Sequence, residues 1–244
     1  MAMKIFPLLL LLIFQNYCIA QSKTIDSLKQ ELKNAKQDTA KLRLYIALGE
    51  TSTKKDKMLY AGPALQLIDK LLKNQQNGQE HQKLIEQENA LCYLFGVYYR
   101  RSNAAEWDTA ITYLQNRLQA IEKTGDQKRA AAFLFQMARI AVDEKIDSAL
   151  FRSYMLRSIS ISKEIKDGDL IVDGYLFMSS VFASAGNFKD AFDAIQSSFS
   201  ACNKLGYSKG LARSHGQLGN IYTVFGENEL AKENFQTSLA IVRK

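Results

Sequence analysis

The residue types that could do chemistry are few in this 244-residue chain. Ser158, Ser160 and Ser162 alternate with Ile159, Ile161 and Ile165. On a helix, side chains two positions apart point to different faces, so these hydroxyls do not converge into a nucleophile cluster. Asp143, Glu144 and Asp147 gather near one turn without His or Cys beside them, which reads as a solvated turn. His81 and His215 have no companion at metal-ligand spacing. Nothing resembles a phosphate-binding glycine loop. The residues therefore argue for no catalysis, no metal and no cofactor. Cys92 and Cys202 are expected to be buried thiols, too far apart to bridge.

What the chain does carry is periodicity. Phe95, Met137, Met178 and Leu218 open similar apolar segments 42, 41 and 40 residues apart. Ala110, Leu150, Ala191 and Ala231 follow in step, and so do Leu118, Ile159, Phe199 and Leu239. Three series in register signal stacked units, each contacting its neighbours and together presenting a long surface. Apolar content of 47% and charged content of 23% belong to a folded chain, and only two prolines interrupt it. The pattern predicts helices near 39–54, 56–73, 80–101, 105–123, 127–143, 147–165, 169–185, 188–204, 208–225 and 228–243, paired into five hairpins. The expected fold is all-α, a right-handed α-solenoid of about five antiparallel hairpins over 38–244.

An amphipathic helix within 21–37, with Ile25, Leu28 and Leu32 on one stripe, precedes the array. Asp38 is expected to cap the next helix, and Gly62-Pro63 to kink or delay the one after it. A polar linker is expected over Asn74 to Gln82. At the junctions 123–126 and 166–169, Gly125 and Gly168 are expected to stop a helix, with Asp126 and Asp169 capping the next. Gly186 and Gly226 make the turns inside the last two hairpins.

Residues 1–20 read as a secretory signal: Lys4, an apolar run from Ile5 to Phe14, and small residues ending at Ala20. Cleavage after Ala20 implies a periplasmic or secreted protein. That run is too short to span a bilayer, and no later stretch is longer, so the mature chain has no membrane span. The net charge is +7, with eleven Lys/Arg against six Asp/Glu in 21–75. Export and the lack of an Arg and aromatic pattern speak against nucleic acid.

Leu218-Gly219, Tyr222, Gly226, Ala231 and Phe235 resemble the tetratricopeptide repeat. Met178-Ser179, Phe182, Gly186, Ala191 and Ile195 follow it in the preceding hairpin, and Phe95-Gly96, Tyr99 and Ala110 two hairpins earlier. The stretch from Ile25 to Thr39 is also similar to the start of exported bacterial repeat proteins, including sensory regions of histidine kinases. The resemblance implies a groove lined by the first helix of each hairpin. Carried over position by position, its lining includes Tyr93, Phe135 and Leu176, flanked by Arg139, Ser180 and Asn220. That surface would take an extended peptide or a helix of a protein partner. The implied function is an extracytoplasmic interaction scaffold, not an enzyme. The alternative is the input module of a signal-transduction system whose output part lies elsewhere. Leu230, Phe235, Leu239 and Val242 leave an apolar face on the last helix, which predicts self-association or another cover there.

Overall fold

The computed structural model describes residues 24–52, 57–74, 78–100, 104–142 and 148–243. The signal segment and Asp143, Glu144 and Asp147 lie outside them. Every regular element among the described residues is a helix. They are α1 (24–34), α2 (Asp38–Thr51), α3 (Lys57–Asn74), α4 (Gln79–Arg100), α5 (Ala104–Glu122), α6 (Gln127–Ala141), α7 (Ser148–Glu164), α8 (Gly168–Ser184), α9 (Phe188–Leu205), α10 (Ser208–Phe225) and α11 (Asn228–Val242). The fold is all-α and solenoid-like, and the helices fall within a few residues of the bounds the periodicity predicts. None of the described helices is long and apolar enough to cross a membrane.

The chain divides into two compact units, 1–103 and 104–244. In the first, α2 pairs with α3 and α3 packs on α4. Leu42, Leu48, Leu65, Ile68, Leu84, Ile85 and Cys92 are buried there. Asp38 does not cap α2: Gln37 holds the cap position, and Asp38 is the first helical residue. Its carboxylate meets Lys70 Nζ at 2.7 Å, and that bond holds it below the ordinary carboxylate range. α3 runs through Pro63 without a late start. Its six preceding residues already form the first turns, so the missing N–H costs one bond and not the helix. α4 begins at Gln79, which makes the linker shorter than expected and gives Glu80 to Gln82 a helical place.

In the second unit α6 pairs with α7, α8 with α9, and α10 with α11. Each hairpin then leans on the next, α7 on α8 and α9 on α10. Phe133, Leu134, Met137, Phe151, Met155, Ile195 and Ile221 fill the space between layers. The helix stops share one backbone device. Asp167, Asn187, Tyr207 and Glu227 each donate their N–H five residues back, to Ser162, Phe182, Cys202 and Tyr222. The residue before each donor takes a left-handed conformation that closes the turn. Glycine supplies it at Gly186, Gly206 and Gly226, whereas Lys166 adopts it at φ 57°.

Lys166 displaces the expected junction by two residues. Asp126 caps α6 as expected, accepting from the Arg129 N–H at 2.9 Å. In the next hairpin the cap is Asp167, accepting from Leu170 at 3.1 Å, and not Asp169. Gly168 is not a helix stop either; it opens α8. A Cβ there would lie 3.0 Å from the Tyr207 ring, so the glycine lets α10 approach.

Candidate interaction groove

The first helices of the second unit form one continuous face. α8 packs directly against both α6 and α10, and no comparable backbone approach joins the second helices α7 and α9. Those two are linked by the longer reach of Arg152 to Asp190, and Arg152 also lies over the Phe182 ring at 4.4 Å. Phe135, Leu176 and Gly216, spaced 41 and 40, occupy equivalent places on that face, as do Arg139, Ser180 and Asn220.

Two contacts tie expected lining residues to side chains on the adjacent first helix. The Phe135 ring on α6 lies 5.7 Å from Phe177 on α8, tilted by 59°. Ser180 Oγ on α8 accepts from Gln217 Nε2 of α10 at 2.9 Å and donates to the Leu176 carbonyl at 3.0 Å. Arg139 is half-buried and donates to Gln136 Oε1 at 3.0 Å, so its guanidinium is held by its own helix. Asn220 is exposed. At Gly216 an added Cβ would meet only Ser238 Oγ of α11, at 3.8 Å. Tyr93 belongs to the first unit, half-buried on α4, and is described with that unit alone.

Sequence reasoning missed Phe177 and Gln217, although Gln136, Phe177 and Gln217 repeat the same 41- and 40-residue steps. It also missed an ionic cluster at the start of α8 and α10. Asp169 accepts from the Tyr207 hydroxyl and from Lys209 Nζ at 3.1 Å, and Arg213 lies beside it and pairs with Asp173. The Tyr207 hydrogen bond, with Lys209 and Arg213 nearby, outweighs partial burial and holds the Asp169 carboxyl below its ordinary range. The available signal was an acid followed by a base one repeat later: Asp169 then Lys209, Asp173 then Arg213. The cluster locks adjacent first helices in register along one rim.

Several polar groups singled out in the sequence bond within the fold. Ser158 Oγ donates to the Ala131 carbonyl and Ser162 Oγ to the Ser158 carbonyl, both at 2.8 Å and buried, while Ser160 faces outward. His215 Nδ1 lies 3.0 Å from Asn234 Oδ1, and its ring packs 4.7 Å from Phe199. Cys92 and Cys202 are buried and not joined in a disulfide, and burial pushes the Cys202 thiol up.

No family model and no curated protein matches the chain. Among solved structures, the crystal structure of BtubC (BKLC) from P. vanneervenii is similar in fold. The two share 14% identity over 92% of this chain and 91% of that one, with a TM-score of 0.50.

Proposed function

We propose that this protein is an exported scaffold of the tetratricopeptide-repeat kind, binding a peptide or protein segment along the first helices α6, α8 and α10. One observation carries the reading. Half-buried apolar groups (Phe135, Leu176, Phe177) run across successive first helices beside hydrogen-bonding groups (Ser180, Gln217, Asn220) at the same repeat spacing. An extended segment needs such a pairing. Its side chains take the apolar row, and its backbone N–H and C=O groups find fixed amide and hydroxyl partners. Rigid helices present the row, so little ordering entropy opposes binding.

Site-specific photocrosslinking in the native envelope tests this. A photoreactive residue at Asn220 should trap one discrete partner, and the same residue at exposed Ser160 on α7 should not. Equal labelling at both positions, or none at Asn220, sinks the groove. Export is tested separately by N-terminal sequencing of the mature protein, expected to start at Gln21.

A further inference from the structure

Phe235, Leu239 and Val242 form one stripe along α11 and are 42, 49 and 70% exposed, with one edge of the Phe235 ring resting on Gly219 of α10. Their counterparts one repeat earlier, Ile195, Phe199 and Cys202, lie under α10. There the bare Gly210 backbone approaches the Cys202 sulfur, Ser214 bonds Ser198 at 2.7 Å, and His215 covers Phe199. Two repeats earlier Met155, Ile159 and Ser162 are buried in the same way, and at Gly174 of α8 a Cβ would lie 2.6 Å from Ile159 Cγ1. The stripe on α11 thus continues an interface that a helix covers twice in this unit. Among the described residues no helix covers the third.

The flank of the stripe indicates which helix would fit. Glu229, Gln236 and Arg243 recur every seven residues along it, acid first and base last. On a helix that spacing keeps all three on one side of the apolar seam. An antiparallel copy of α11, related by a two-fold axis near Gln236, would set Glu229 against the second copy's Arg243 and Arg243 against its Glu229. The core layers of that pairing are Phe235 on Leu239 and Leu239 on Phe235. The helix dipoles then run in opposite directions, which favours the arrangement further. Lys232, whose ammonium lies 3.9 Å from Glu229, lays its aliphatic stem over the partner's apolar end. From this continuity and this self-complementary rim we propose that the protein pairs with a second copy of itself through an antiparallel α11 seam. The proposal stands independently of the groove, which lies on the first helices.

Sedimentation velocity of the full mature chain tests it, with three variants. Wild type should sediment as a dimer at about 100 μM and dissociate on dilution. Leu239→Glu should be monomeric with an unchanged far-UV spectrum, since the residue is already half-exposed. Glu229→Arg and Arg243→Glu should each dimerise roughly three- to tenfold more weakly, because two attractive pairs become repulsive. Mixed in equal amounts, those two variants should recover pairing as a heterodimer. A monomer throughout overturns the proposal. So does a dimer indifferent to Leu239→Glu, or a mixture no better than either charge variant alone.

Discussion

Hairpins α8–α9 and α10–α11 are built from equivalent residues and differ in what lies beyond them. Ile195 is fully buried where Phe235 is 42% exposed, and Cys202 is 1% exposed where Val242 is 70%. Hydrophobic burial in a stacked array comes from the neighbour and not from the hairpin itself. An apolar stripe on a second helix is core when a first helix with a glycine follows it. Where no first helix packs on it, as on α11 among the described residues, it stays exposed. The residue types are therefore a poor guide to their own burial, and position in the stack decides.

The sharpest break of this comparison is a matched pair of truncations. Ile195→Ala removes a fully enclosed side chain and should cost about 2–5 kcal/mol, measured by urea unfolding. Phe235→Ala, in dilute solution, should cost less than half of that despite deleting more atoms. Equal losses would mean that α11 is covered in solution and the contrast is false.

Two glycines of α10 sharpen the point. At Gly210 a Cβ would lie 2.5 Å from both Cys202 Sγ and Tyr207 Cδ1, so Gly210→Ala should destabilise by about 1–3 kcal/mol. Gly216→Ala sits in the same helix with open space beside it and should raise stability by up to about 1 kcal/mol through helix propensity. Thermal melts that move in the same direction for both would refute the packing argument.

A smaller effect separates the junctions. Asp126→Ala removes the cap bond to Arg129 and should cost about 0.5–2 kcal/mol. The smallest concerns the ionic rim. The Asp169 carboxyl titrates below its ordinary range, so its contribution is present at neutral pH and lost as the pH falls below about 4. Acid melts of Asp169→Asn should therefore show a shallower fall in Tm over that window than wild type. Identical slopes would show that the Tyr207 and Lys209 contacts hold nothing at Asp169.

Much of the fold was legible because one period organises it. Helix bounds, the pairing of α2 with α3, α6 with α7, α8 with α9 and α10 with α11, the left-handed glycines at 186 and 226 and the cap at Asp126 all follow from local chemistry repeated every 40 residues or so. The miss at 166–169 is instructive. Glycine is the default left-handed residue, so Gly168 drew the turn onto itself, while Lys166 took that conformation and Gly168 served close packing with Tyr207. Asp38 misled in a related way, since an aspartate suits a first helical turn as well as a cap. For the candidate groove, the columns through Phe135 and Ser180 followed from the repeat. The bridge from Gln217 to Ser180 and the ring contact of Phe177 did not, because they depend on which side chains of adjacent helices reach each other.

The sequence by itself determined the element type, the period and the polarity of each helix, because backbone propensity and the apolar pattern act over a few residues. Tertiary structure alone decided which glycine turns and which packs, and which acid finds which base one repeat away. Those outcomes depend on the approach of helices some forty residues apart, where a few tenths of an ångström separate a contact from a clash.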